Sequence, residues 1–338
     1  MVLAQDALFH NAVNSQHMHD MTSQDVVLTT LPLFHVGGLN IQTLPALHLG
    51  ATVHLHPRFE PDAVIDAIAG GTITLTVLVP AQLELLAANP RWHTVDVSSL
   101  RAISTGSTII DAVFVRKNLH RGLPLLQVYG ATETSPLAAY QRIDDAPSHP
   151  GSVGKAALHC ELRLVDEADR DVALHASGQI LVRGPNVMQG YWCKPGESAA
   201  ALAGGWYHTG DLGHVDADGF LYVDGRCKDL IISGGENVYP AEIESALAGC
   251  PGIAEVAVVG RPDVRWGEAV VAVVVPQPGA QITAASVSAL LDGRIARYKH
   301  PRAVVLAEQL PRTALGKVRR DDVKRLAQCE TSPEERHS

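Results

Sequence analysis

Several short stretches of this chain set reactive side chains beside glycines, the arrangement a small-molecule site needs. In "YGATET" (residues 129–134) Tyr129 offers a flat ring for stacking and Gly130 lets a ligand approach the backbone. In the same stretch Thr132 offers a hydroxyl, and Glu133 offers the hard oxygens that suit Mg²⁺. "YHTGDL" (residues 207–212) places Asp211 after a glycine, and a carboxylate accepts two hydrogen bonds from neighbouring hydroxyls such as a ribose diol. "STGSTI" (residues 104–109) brings Gly106, Ser107 and Thr108, whose backbone groups can line a purine pocket. "PLFHVGGL" (residues 32–39) sets His35 before two glycines, a place at a pocket mouth. "PRTALGKVRR" (residues 311–320) puts Lys317 after a glycine on a loop, where an ammonium can reach a phosphate or carboxylate oxygen. Taken singly, each has a bland alternative: a capping threonine, a turn aspartate, a structural histidine, a solvated basic run.

A longer stretch, "GRCKDLIISGGENVYPAEIE" (residues 225–244), carries Arg226, Lys228, Asp229 and Glu236 around Gly234 and Gly235 and then enters a helix at Pro240. A plain surface turn needs the glycines but not that spacing of charge. The pairs His17/His19 and His54/His56 have metal-ligand spacing, but no third ligand group accompanies them, so they read as solvated surface histidines.

The elements that must position these groups follow from pattern. Over residues 1–146, strand-like runs alternate with helical ones: "DVVLTTLPL" and "ITLTVLVP" read as strands, and "PDAVIDAIAGG" as a helix with Pro at its start and Gly at its end. "LRAISTGS" and "LPLLQVYGATE" are further strands, each running into a small-residue loop. Such alternation predicts a mostly parallel sheet in a doubly wound α/β domain, with ligands beyond the carboxyl ends of the strands. Residues 147–227, with "CELRLVD", "GQILVRG" and "GFLYVDG", predict a β-rich subdomain. Residues 228–328 predict a small α+β domain of about one hundred residues. Residues 329–338 are a polar tail, expected to be disordered.

Composition narrows the class. The chain has 338 residues, 46% hydrophobic and 19% charged, which is ordinary for a globular protein with a sizeable core. A formal charge of -9 argues against nucleic acid as a partner. Five cysteines without a CxxC pair indicate a reducing compartment and no disulfide frame. No apolar run approaches the roughly 20 residues of a membrane span, and no secretory signal is visible. The cytoplasm is the expected location.

In their order along the chain, YGATE, TGDL, GR-x-K-D-x-I-x-x-x-G-E-N-x-x-P-x-E-I-E and PRTxxGK resemble the adenylate-forming superfamily of acyl-CoA synthetases, peptide-synthetase adenylation domains and beetle luciferases. The resemblance runs from residue 1 to about residue 328 and implies ATP-dependent activation of a fatty or aryl acid to an acyl-AMP. Coenzyme A would then displace AMP. It implies that Tyr129 stacks on adenine beside Gly130, with Gly106, Ser107 and Thr108 bordering that pocket. It further implies that Thr132 meets the phosphate of AMP and that Glu133 holds Mg²⁺. Asp211 would bind the ribose with Arg226 beside it. Lys317 would bridge the acid and the ribose–phosphate, a preorganised cation where charge shifts. His35 and the residues near Gly37, 104–108 and 130–135 would wall the acid. A mobile C-terminal domain would turn about Lys228 and bring the Gly234–Gly235 face to a coenzyme A channel. Trp266, in "RPDVRWGEAV", stands where relatives stack a tryptophan on the coenzyme's nucleotide, which favours coenzyme A over a carrier protein. "ARYKHP" (residues 296–301) matches the region that meets the coenzyme's phosphates, with His300 where a relative has Arg. The implied partners are a small carboxylic acid, ATP and coenzyme A; a homodimer is compatible with this and not required.

The resemblance breaks at one place. The superfamily's Ser/Thr/Gly-rich phosphate loop, ending in Pro-Lys-Gly, is absent, and "MVLAQDALFHN" matches the segment that normally follows it. The expectation is therefore an incomplete large domain with an exposed apolar face and impaired adenylation. A non-enzymatic binder of AMP or acyl-AMP is the rival from another class, and an enzyme delivering to a carrier protein is a second.

Overall fold

The computed structural model describes residues 1–107, 110, 112–119, 125–313 and 317–329. The chain divides into two compact units, residues 1–223 and the residues from Asp224 on.

The first unit is organised by a sheet of β1 (Val26–Thr29), β2 (Thr52–Leu55), β3 (Leu75–Val77), β4 (Ala102–Thr105), β5 (Leu125–Tyr129), β6 (Ala139–Tyr140) and β7 (Lys155–Ala156). Its order is β2-β1-β3-β4-β5-β6-β7. The strands from β1 to β5 run parallel, and β6 and β7 are antiparallel additions. The order 2-1-3-4-5 is one of the two common doubly wound arrangements. Neighbouring residues of one strand point to opposite faces, and both faces are covered. On one, Val27, Ala102 and Leu126 pack with Met18 of the helix Gln5–His19. On the other, Leu28, Ile103 and Leu125 pack with Ile65 and Ile68 of the helix Pro61–Ala69 and with Leu83 and Leu86 of the helix Pro80–Ala88.

Two local outcomes differ from the pattern. The run 73–80 forms a strand only over Leu75–Val77, because Pro80 opens a helix instead. Gln82 Oε1 accepts the Val79 N–H at 3.1 Å and fixes that start. β2 left no periodic trace, since it is an edge strand with Thr52, His54 and Leu55 exposed.

A second sheet of the order β11-β10-β9-β8 holds β8 (Glu161–Val165), β9 (Gly178–Arg183), β10 (Tyr207–Val215) and β11 (Leu221–Arg226). The motif TGDL lies inside β10, not in a turn between strands. The register between β10 and β9 shifts between His208 and Leu212, and Gly210 has φ +71°. This is a bulge, and it re-aims the residue after it.

The second unit pairs β12 (Ile231–Ser233), β13 (Glu236–Val238), β14 (Ile253–Asp263), β15 (Gly267–Pro276) and β16 (Ala303–Leu306). The order is β13-β12-β15-β14, with β16 parallel to β15. One face packs Val258, Val270 and Ala272 against Ile243 and Leu247 of the helix Pro240–Leu247 and Leu291 of the helix Ala284–Leu291. The other packs Ala257, Val271 and Val273 against Val323 and Ala327 of the helix Arg320–Cys329. Among the described residues, no helix is long and apolar enough to cross a membrane.

Candidate functional site

The carboxyl ends of β4 and β5 carry most of the singled-out residues of the first unit. β5 ends at Tyr129, and a side chain at the next residue, Gly130, would lie 1.6 Å from the Pro136 carbonyl oxygen. Only hydrogen fits there, so the loop folds back tightly. Thr132, Glu133 and Thr134 then form a turn of 3₁₀ helix, with the Ala131 N–H donating to Thr134 Oγ1 at 3.0 Å. Asn186, fully buried, donates through Nδ2 to the carbonyls of Thr134 (2.7 Å) and Leu137 (2.9 Å). The Met188 N–H donates to the Glu133 carbonyl at 2.7 Å. Burial pushes the Cys160 thiol up to about 11, so it remains an S–H donor to Asn186 Oδ1. At the end of β4, a Cβ on Gly106 would meet Val128 at 2.8 Å, so this glycine lets the two loops approach. Ser107 holds φ +73°, a left-handed backbone rare for serine. Thr108 lies outside the described residues.

Each of the two candidate carboxylates is gripped by a phenol. Tyr129, 8% exposed, donates its hydroxyl to Asp211 Oδ2 at 2.9 Å. Tyr191 donates to Glu133 Oε1 at 3.0 Å, and Tyr207 hydrogen-bonds Tyr191 in turn. Burial raises all three phenols above their ordinary range. The charge of Asp211 adds to this at Tyr129, and that of Glu133 at Tyr207. They therefore stay protonated and act as donors. The Asp211 N–H rests on Thr209 Oγ1 at 3.0 Å, and that hydroxyl donates to the Ile180 carbonyl at 2.7 Å, which fixes the bulge. A satisfied polar network of this kind holds its members in one geometry.

Among the described residues, no three His, Cys, Asp or Glu side chains gather into a group that could hold a metal ion. Glu133 is then a single carboxylate. That suffices for Mg²⁺, which is commonly held by one or two carboxylates while phosphates supply other oxygens. His35, after β1, accepts the Gly37 N–H at Nδ1 (3.0 Å) and caps the short helix Val36–Gly38, so the neutral ring carries its proton on Nε2.

The reading of His19 as a surface histidine is overturned. It is 0% exposed, and burial pushes its pKa down to about 4. Its Nδ1–H donates to the Ser15 carbonyl at 2.8 Å, while Nε2 accepts from Ser104 Oγ (2.7 Å) and Gln42 Nε2 (3.0 Å). It thus buttresses β4 just before Gly106. His17, half-buried, shares a hydrogen bond with the Tyr140 hydroxyl at 2.8 Å, whereas His54 is exposed as expected.

In the second unit, Lys317 is exposed on a hairpin. Thr313 N–H donates to the Lys317 carbonyl at 2.8 Å, Arg312 bridges Val318, and Arg319 N–H donates to the Pro311 carbonyl at 2.8 Å. Gly234 and Gly235, at φ +63° and +84°, make the two-residue turn of the β12–β13 hairpin, a turn that demands positive φ twice. The Gly234 N–H donates to the Trp266 carbonyl at 2.8 Å, and a Cβ on Gly234 would touch the Trp266 ring at 3.0 Å. Arg302 lies 3.6 Å from the centroid of that ring and Arg265 4.9 Å. Lys228 is exposed in the turn Cys227–Asp229, and Arg226 is exposed at the end of β11. His300 is buried and paired with Ser288 Oγ at 3.0 Å.

The structure thus joins Tyr129 to Asp211 and the Gly234–Gly235 turn to Trp266. Sequence reasoning passed over Tyr191, Tyr207 and Asn186, and it placed His19 on the surface; the missed burial was that of Tyr207, Asn186 and, last, His19. One trace of the last was present: Asn11, Ser15 and His19 recur every four residues, a buried polar stripe on one helix face.

The model of the AMP-binding enzyme family matches residues 1–192, and that of the AMP-binding enzyme C-terminal domain matches residues 242–317. An indoleacetate–CoA ligase of Aromatoleum aromaticum is 59% identical over 99% of this chain and 66% of its own length. A feruloyl-CoA synthase of Amycolatopsis sp is 41% identical over 96% of this chain and 66% of its own length. Among solved structures, ATP-bound MatB from Rhodopseudomonas palustris superposes with a TM-score of 0.91 at 34% identity, covering 97% of this chain and 65% of that one. The o-succinylbenzoate CoA synthetase MenE from Bacillus subtilis, in complex with its acyl-adenylate, gives 0.86 at 34% identity, covering 95% and 65%. The chain therefore spans just under two thirds of the length of the relatives it matches.

Proposed function

This chain belongs to the AMP-binding enzyme family, and on that premise we propose that it takes part in ATP-dependent activation of an aryl carboxylic acid and its transfer to coenzyme A. The bond between the Tyr129 hydroxyl and Asp211 carries the reading, because it sets a stacking ring beside an acceptor for a ribose diol. In the first step a carboxylate oxygen attacks the α-phosphorus of ATP and pyrophosphate leaves. Thr132 donates to a phosphate oxygen, and Lys317 supplies the cation that stabilises the charge gathering there. Glu133 would hold Mg²⁺, which neutralises phosphate charge when bound. In the second step the thiol of coenzyme A attacks the acyl carbon and AMP leaves. Lys228 is the pivot between the two steps, and Trp266 with the Gly234–Gly235 turn receives the coenzyme's nucleotide.

The aryl class is favoured over fatty acids because the relatives at 59% and 41% identity are named for indoleacetate and feruloyl substrates. We place the reaction in the cytoplasm, in keeping with Cys160, Cys193, Cys227 and Cys250 being thiols and not disulfides. The test is to supply the purified chain with ATP, Mg²⁺, coenzyme A and a panel of indole, phenylpropenoid and fatty acids, and to follow thioester by mass spectrometry. Thioester from an aryl acid is expected. AMP binding without turnover on any acid would favour the non-enzymatic reading.

A further inference from the structure

β14 is the edge of its sheet, yet at Val258 its outward backbone groups are both satisfied by side chains. The Val258 N–H donates to Glu244 Oε1 at 2.7 Å, and its carbonyl accepts from Arg320 Nη1 at 2.8 Å. Arg320 Nη2 also donates to Glu244 Oε2 at 2.8 Å, closing the circuit, and its Nε lies 3.6 Å from Asp229 Oδ2. The side chains of Arg320, Glu244 and Asp229 are only 26%, 21% and 12% exposed, so solvent screens these contacts little. Arg320 is the first residue of the helix Arg320–Cys329 and follows Lys317 by one short hairpin leg. Asp229 directly follows Lys228. A single guanidinium therefore fastens the base of the Lys317 hairpin to the helix Pro240–Leu247, to the sheet edge and to the Cys227–Asp229 turn.

We propose that Arg320 is a positioning residue for Lys317: it makes the hairpin and the turn at Lys228 move as one piece, so that rotation at the turn is delivered to Lys317 without slack. The kinetic part of this inference rests on the function proposed above; the mechanical part does not. Lysine cannot replace the arginine, because two hydrogen-bond acceptors and an ion-paired carboxylate on different elements need the planar fork.

The test compares the parent chain with Arg320→Lys and Arg320→Met. Amide hydrogen exchange is read first. The amides of residues 312, 313 and 317–319 are expected to exchange about tenfold faster in both variants while the amides between β14 and β15 keep parental protection. Adenylation kcat is then expected to fall by about 10²-fold with KM for ATP unchanged, the effect of a misplaced catalytic group. Thioester formation from a supplied acyl-adenylate should stay within about twofold, and Arg320→Lys should add nothing in a Lys317→Ala background. Unchanged hairpin exchange would overturn the proposal. So would loss of β14–β15 protection together with both half-reactions, or losses that add in the double variant. If the parent chain makes no adenylate from any acid, the functional reading falls, and the exchange data still decide whether Arg320 fixes the hairpin.

Discussion

Tyr129 sits 8% exposed at the end of β5 with its hydroxyl on Asp211, whereas Lys317 stands exposed on a hairpin of the other unit. The loop after β5 is held from within by Asn186, Thr134 and a glycine that admits no side chain. The hairpin is held at its base and presents its lysine outward. The difference separates two tasks. A site that must meet a ligand with fixed dipoles is built into the core, so that no reorganisation is needed at the moment of reaction. Under the function proposed above, Lys317 acts in one step and leaves for the next, and an exposed hairpin is a place where that change of environment disturbs little packing. Substitutions in the first region should therefore act through stability as well as chemistry, and those in the second through chemistry alone.

The sharpest contrast is Lys317→Ala. Adenylation by the full chain, measured as pyrophosphate exchange, should drop on the order of 10²–10³-fold while the urea midpoint stays at the parental value. A matching loss of stability would erase the distinction between the regions. Gly130→Ala is the converse. Its Cβ would lie 1.6 Å from a carbonyl oxygen, so the loop must shift, and a destabilisation of about 3 kcal/mol is expected in urea melts. Parental stability in that variant would mean the loop is not fixed as described.

A smaller, pH-dependent effect belongs to His19. Its pKa falls from the ordinary 6.5 to about 4 on folding, chiefly through burial, with Arg101 lowering it and Asp25 and Asp20 opposing. Between those values the unfolded chain binds the extra proton. The contribution of this group is thus complete above pH 6.5 and is lost as pH falls toward 4, at up to roughly 1.4 kcal/mol per unit. His19→Gln should flatten the dependence of the melting temperature on pH in that window; an unchanged slope would remove His19 from the account.

The sheet of the first unit was legible because parallel strands buried on both faces read as mostly apolar runs, as at Val26–Thr29. The glycines at 130, 234 and 235 were legible as punctuation, and the structure gives each a steric or conformational reason. What hid from the sequence was polar burial. His19, Asn186 and Tyr191 act through partners far along the chain: His19 meets Ser104, Asn186 meets Thr134, and Tyr191 meets Glu133. No local period reports such pairs. The bulge in β10 hid for a related reason, since TGD composition suits a turn and only pairing with β9 keeps it in a strand.

The central claim is that the Tyr129 ring and the Asp211 carboxylate together hold a nucleoside monophosphate. Isothermal titration of AMP into the parent chain and into Asp211→Asn, at a temperature where both are folded, tests it most directly, because asparagine still accepts from the Tyr129 hydroxyl. The account predicts one AMP per chain and an affinity about tenfold weaker or worse in the variant, the loss expected for a hydrogen bond to a charged group. Equal affinity in the two proteins, or no binding to the parent, would contradict it.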